Sequence, residues 1–387
     1  MMRILRLHLA GLTLLAGAAA QSAPVITNIT LAPRLTIQSD LGDTNQIQYA
    51  TNLAQSNWVT LTSLVVTQSP YWFADLTAPS APARFYRVIS SATNGVPAGM
   101  ALIPAGSYVM GDTLDNETDA IPTHSVYVSA FYMDVNLVSY SLWVQVYQWA
   151  TNSGYSFATN SGYSGYGKAA SHPVELVSWF DAVKWCNARS EMQGLTPCYY
   201  TNAALTAVYR TGALTLSNSM VNWSANGYRL PTEAEWEKAA RGGASGQRFP
   251  WADTDTINES RANFQADPED FAYDTDSTNQ YNLAFNDGVY PYTSPVGYFT
   301  ANGYGLYDMA GNVFQWCWDW YSSTWYSNAG ATLTDTTGPS SSDSSGDRVL
   351  RGGDWYDDAR FVRSAYRAYN VPSAAYLNIG FRCLRGP

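Results

Sequence analysis

From Arg241 to the C-terminus the chain carries almost no run with the period of a helix or of a long strand. It is built of turns, Gly, Trp and short apolar stretches. Such a segment predicts a fold with few helices and many ordered loops, and loops of that kind need staples such as disulfides or bound metal. Regular structure is confined upstream, where three helices stand out. Ser139-Tyr140-Ser141 opens the first, which runs through Leu142, Val146 and Trp149. The second is SWFDAVKWCNARSEMQG, with Ser178 as its cap, Asp181 three residues on and Gly194 just beyond its end. The third is LPTEAEWEKAARGG, where Thr232 and Glu235 form a capping box and Gly242 supplies a left-handed exit.

The N-terminal third reads differently. Residues 1–20 have the form of a secretory signal: Arg3 and Arg6, an apolar run from Leu7 to Leu15, then Ala18-Ala19-Ala20 before Gln21. The apolar run is short for a bilayer span. The expectation is a secreted, periplasmic or cell-surface protein with no membrane span after cleavage. Residues 24–91 alternate apolar and polar positions in RLTIQS, NQIQYATNL, NWVTLTSLVV and RFYRVIS, separated by turn-forming pieces. This predicts a small all-β, sandwich-like module acting as a spacer. SSATNGVPAG, Ser90 to Gly99, is a linker, and the large domain occupies 97–387.

A formal net charge of −10, with 13% charged and 14% aromatic residues, describes a chain that folds. It lacks the basic footprint of a nucleic-acid binder. Four cysteines in an oxidising compartment make two disulfides the default, with the pairing open. There is no CxxC, and only His124 and His172 follow the signal, which argues against a thiolate or three-histidine metal centre. Both read as structural: His124 on a strand, and His172 ahead of Pro173.

The large domain contains, in order, MALIPAGSYVMGD, HPVELVSWFDAVKWCNARS, YRLPTEAEWEKAARGG, FPWAD, ANF, SPVGYFTANGYGLYDMAGNVFQWCWDWY, RVLRGGDW and NIGFRCLR. Taken together these resemble the formylglycine-generating enzyme family, the sulfatase-modifying factors, over essentially all of 97–387. The resemblance implies an irregular α+β fold related to C-type lectins. It also implies an activity, the copper- and oxygen-dependent oxidation of a sulfatase cysteine to formylglycine. Family enzymes hold copper with two cysteines, in a segment reading GG, three residues, Cys, four residues, Cys. Aligned on Gly352-Gly353, those positions here are Asp357 and Val362. Copper(I) requires soft thiolates, which neither residue supplies, so copper is not expected and the family reaction does not carry over.

The family's two calcium sites do carry over as expectations, both structural. The first matches Asn263 and Asp287 through side chains, with the carbonyls of Phe264 and Val289. The second matches Asp308 and Gln315 through side chains, with the carbonyls of Gly311 and Val313. Gln315 stands where the family has Glu, which removes a negative charge and makes this the weaker site. Cys186 and Cys383 match a family disulfide, which leaves Cys198 with Cys317 unless both stay free.

The reading that results is a non-catalytic, calcium-stabilised binding or interaction module for a peptide, protein or glycan. The alternative is an oxidoreductase of the same family with a changed active site, resting on Asp357, Arg360 or nearby tyrosines. For Asp354, Asp357 and Asp358 the simplest expectation is a solvated acidic loop balanced by Arg351, Arg360 and Arg363. The other is a ligand groove walled by Trp355, Tyr356, Phe361 and Tyr366.

Overall fold

The computed structural model describes residues 34–37, 44–51, 58–65, 71–75, 84–91, 96–118, 120–157, 165–343 and 346–387. The signal-like N-terminus lies outside them. The chain divides into two units, Met1–Gly99 and Met100–Pro387.

In the first unit, β1 (Arg34–Ile37) pairs antiparallel with β4 (Tyr71–Ala74), Leu35 opposite Phe73. A second sheet places β2 (Thr44–Ala50) between β3 (Val59–Val65) and β5 (Phe85–Ser91). The alternation read in RLTIQS is the pleat: Leu35 and Ile37 turn inward with Ile47, against Leu61, Leu64, Phe73 and Tyr86. A buried Asp75 accepts from Arg84 at 2.6 Å and from the Tyr86 hydroxyl at 3.0 Å.

The second unit opens with β6 (Met100–Ile103), β7 (Gly106–Met110), β8 (His124–Val128) and β9 (Phe131–Asp134). Three helices follow: α1 (Tyr140–Thr151), α2 (Trp179–Met192) and α3 (Glu233–Ala240). The remainder is short strands: β10 (Gln265–Ala266), β11 (Gln280–Tyr281), β12 (Phe314–Trp320), β13 (Arg348–Arg351), β14 (Ala368–Asn370), β15 (Ile379–Gly380) and β16 (Leu384–Arg385). The largest sheet runs β14-β13-β12-β15, with β12 and β13 antiparallel and β15 parallel to β12. β16 returns to pair with β9, tying the C-terminus to the start of the unit.

The helix ends form as their sequences dictate. Ser178 Oγ accepts the Asp181 N–H at 3.1 Å. Thr232 and Glu235 make the reciprocal capping box, and Gly242 leaves α3 at φ +58°. α2 is buried from Trp179 to Ser190, so its polar side chains need partners inside the protein. Lys184 pairs with Asp181 at 3.0 Å, Arg189 with Asp134 at 2.6 Å, and the Asn187 amide serves the backbone of Cys198, Tyr199 and Tyr209. Around α2 the core is aromatic. Trp143 stacks on Trp185 at 5.8 Å, and Phe381 meets both edge-on.

α3 carries two buried glutamates that fix three arginines. Glu237 pairs with Arg241 at 2.8 Å and Arg351 at 2.5 Å, and Glu233 with Arg367 at 2.7 Å. Arg351 also donates to the carbonyls of Ser364, Ala365 and Tyr366. It is the last residue of β13, so this network anchors the turn that follows.

Candidate ligand site

Gly352 and Gly353 form that turn, at φ +94° and +67°. A Cβ on Gly352 would lie 3.1 Å from the Trp236 ring, and one on Gly353 would lie 2.6 Å from Val362 Cγ1. Both the left-handed backbone and the close packing therefore require glycine. The chain emerges into Asp354, fully buried, whose Oδ1 accepts the N–H groups of Tyr356 at 2.6 Å and Asp357 at 3.1 Å. Its Oδ2 accepts from Asn378 Nδ2.

The loop is not a solvated acidic loop. Arg351 is committed to Glu237, and Arg363 lies among Asp112, Asp115 and Glu117 at 3.4–3.7 Å. Only Arg360 stays beside the aspartates. Burial therefore pushes the carboxyls of Asp354, Asp357 and Asp358 upward, and Asp357 rises further against the charges of Asp354 and Asp358. Among the described residues Asp357 Oδ2 has no hydrogen-bond partner although it is buried. Asp354 and Asp357 are both held above the ordinary carboxylate range and titrate as a pair.

Val362 is fully buried among Phe249, Ile257, Ala262, Phe264, Ala266, Ala310 and Ala359. Of the two positions expected to carry copper thiolates, one is a desolvated carboxyl and the other is part of an apolar cluster. The donor set does not fit copper.

The ligand-groove expectation divides. Trp355 and Tyr356 join Tyr281, Tyr290 and Tyr292 in one aromatic cluster, with ring centroids 4.6–6.1 Å apart. Trp355 is buried, and its indole donates to the Leu377 carbonyl. Tyr290 and Tyr356 are each 54% exposed. Burial, then hydrogen bonds to Tyr290 and Tyr356, push the Tyr281 phenol above its ordinary range. Phe361 and Tyr366 instead pair with each other at 4.9 Å, with the Arg360 guanidinium over Phe361. The tyrosines from 281 to 292 were not singled out from the sequence; their clustered occurrence was the available signal.

The calcium-like segments pack directly beneath this loop. Asn263 bridges Gly311, the Gly311 N–H donates to the Gly352 carbonyl at 2.7 Å, and the Trp355 N–H donates to the Asn312 carbonyl at 3.1 Å. At the first set, Asn263 Nδ2 donates to the Tyr292 carbonyl and Phe264 is core. Asp287 Oδ1 and the Val289 carbonyl both accept from Lys168 Nζ, at 2.8 and 3.1 Å. At the second set, Val313 is buried and Asp308 Oδ2 accepts the Gly297 N–H. The Gln315 carbonyl oxygen accepts from the Trp236 indole at 2.8 Å and from Arg382 Nε at 2.7 Å. Arg382 further donates to the carbonyls of Asp134, Tyr307 and Asp308. Among the described residues no three His, Cys, Asp or Glu side chains converge as a metal-ligand cluster.

Cys186 and Cys383 face each other with sulfurs 3.5 Å apart, as thiols. Cys198 and Cys317 are not brought together. Cys198 points at the Gly227 carbonyl within the α2 core, whereas Cys317 belongs to the separate core containing Ala234, Trp236 and Val349. His124 begins β8, on a strand as expected, and His172 Nδ1 lies 3.0 Å from Thr293 Oγ1. A cleft of about 600 Å³ borders the second calcium-like segment, lined in part by Trp251, Arg261, Phe299, Asn302 and Asp308. Phe249 stacks on Trp251 and the Arg261 guanidinium lies over it, which leaves that ring poorly placed as a ligand platform.

These features define an irregular α+β domain, C-type-lectin-like in its few helices and many ordered loops. The sulfatase-modifying factor enzyme 1-like domain family matches residues 86–387, and the chain belongs to that family. A formylglycine-generating enzyme of Thermomonospora curvata is 30% identical over 304 residues, 75% of this chain and 94% of that protein. The chaperone protein LppX of Paenibacillus barcinonensis is 34% identical over 197 residues, 49% of this chain. The match spans just under two thirds of LppX, at 66%. Among solved structures, Treponema denticola variable protein 1 superimposes with a TM-score of 0.55 at 27% identity, covering 74% of this chain and 95% of that one.

Proposed function

We propose that this chain is a non-catalytic member of its family, a module that binds a peptide or glycan on the tyrosine surface around Tyr281, Tyr290 and Tyr356. The observation that carries the reading is Val362. A buried isopropyl group, packed in an apolar cluster, stands where the family reaction needs a thiolate. The binding reading is supported by the exposed tyrosines, which offer flat apolar faces with hydroxyl rims. It is also supported by Asp357, whose carboxyl is raised by burial and, when protonated, donates as well as accepts. The name of the relative LppX, a chaperone, accords with an interaction role. The signal-like N-terminus supports secretion, and no helix among the described residues is long and apolar enough to cross a membrane.

One observation favours a second reading. Two neighbouring carboxyls raised by burial, one with an unpartnered oxygen among the described residues, have the form of an acid–base pair. That reading requires a substrate whose turnover stops in Asp357→Asn.

The test of the first is a peptide and glycan array probed with the mature protein and with a Tyr290→Ala/Tyr356→Ala variant. Binding by the first and its loss in the folded variant are expected. A wild-type protein that binds nothing, or binding that survives both substitutions, overturns the proposal.

A further inference from the structure

We infer that Lys168 supplies, from within the chain, the positive charge that the family's first calcium site would draw from the ion. Of the four donors assigned to that site, Asp287 Oδ1 and the Val289 carbonyl are both bound by the Lys168 ammonium, at 2.8 and 3.1 Å. The same ammonium lies 5.8 Å from the centre of the Tyr292 ring. A calcium ion held by these two oxygens at about 2.4 Å would share both of its ligands with a fixed cation, and like charges on one carboxylate oxygen repel. The Asn263 amide donates through Nδ2 to the Tyr292 carbonyl at 2.8 Å, so the misfit rests on the two oxygens that Lys168 holds. The donor set therefore does not fit calcium while Lys168 is present.

Lys168 is not a loose surface lysine. Its side chain is 20% exposed, against 54% for Asp287. The segment before it is clamped: Tyr166 and Glu175 exchange backbone hydrogen bonds at 2.8 and 2.7 Å. Gly167 lies so close to Tyr140 that a Cβ there would meet the tyrosine at 2.4 Å. A backbone fixed two residues upstream limits the entropy lost in holding the ammonium in place. The pair joins residues 119 apart in sequence. It locks the Asp287–Val289 turn next to Tyr290 and Tyr292, beneath the tyrosine surface. Lys168 thus holds the base of that surface without a metal.

Calcium content and melting of the full mature protein, purified in calcium and desalted, test the inference. The wild type should carry no calcium that depends on Asp287, and chelator should leave its melting temperature unchanged. Lys168→Met keeps the apolar stem and removes the charge, so it should melt lower by about 2 °C, the scale of a partly exposed ion pair in a domain of this size. Lys168→Arg should recover most of that loss. Calcium retained by the wild type and lost in Asp287→Asn overturns the inference, as does a Lys168→Met protein that melts like the wild type.

Discussion

Asp357 keeps one carboxyl oxygen buried and without a partner beside Asp354, whose own carboxylate accepts the Asp357 N–H at 3.1 Å. The turn thus fixes the two acids next to each other, with Arg360 as the one arginine of the loop left beside them. Asn is close in shape to a protonated Asp. Asp357→Asn should therefore fold as wild type and gain relative stability as the pH rises. The sign follows from linkage: a carboxyl raised on folding holds a proton that the unfolded chain releases above its ordinary range, so wild-type stability falls with increasing pH. Urea unfolding at pH 5 and pH 9 checks this. Parallel pH dependences in the two proteins would contradict it.

Glu175 gives a second pH test. It is fully buried, its carboxyl accepts from the Thr293 hydroxyl at 3.4 Å, and burial pushes that carboxyl up to about 9. Its contribution is intact below the unfolded value of 4.5 and is lost as pH rises towards about 9. Glu175→Gln should flatten the stability profile across that window, read as unfolding midpoints from pH 5 to 9.

Glu237 tests the frame that holds the site. Both Arg351 and Arg241 depend on it, and all three are buried. Glu237→Ala leaves two guanidinium groups in the interior, and losing one partner of a buried pair costs about 3–5 kcal/mol. Denaturant unfolding should show a loss of that size. A loss below about 1 kcal/mol, the scale of a surface pair, would mean the network is not what anchors Gly352-Gly353.

The 3.5 Å approach of Cys186 and Cys383 predicts that these two thiols are oxidised together when the protein is held under oxidising conditions. A bridge closing so long a loop is worth about 4–5 kcal/mol in chain entropy, less any strain. Non-reducing peptide mapping should find this pair linked and Cys198 and Cys317 alkylated. A Cys198–Cys317 peptide would contradict the placement of those residues in separate cores.

How much of this was legible in the sequence depended on range. Ser178 before Asp181, Thr232 before Glu235, and the alternation of RLTIQS are local patterns, and each formed as read. Gly352-Gly353 was legible through its family motif, and with it the displacement of thiolates by Asp357 and Val362. What the sequence could not show was which arginine serves which acid. Arg351 and Arg363 stand beside Asp354 and Asp357 in sequence but turn away to Glu237 and to Asp112, so the loop reads as balanced by three arginines and folds with Arg360 alone of them beside the acids. Lys168 was hidden for the same reason. Its partner lies across the fold, and one lysine after a glycine-rich loop carries no local mark of an internal cation. The tyrosine surface likewise draws on two distant segments, and nothing in either one announces the other.

The most direct test of the central claim is chemical. A cysteine-containing sulfatase peptide is incubated aerobically with the purified mature protein and copper, alongside an active family enzyme, and followed by mass spectrometry. With Asp357 and Val362 in place of thiolates, the account predicts an unchanged cysteine while the control converts. Formylglycine appearing with this protein would show that copper finds another site in it, and the non-catalytic reading would fall.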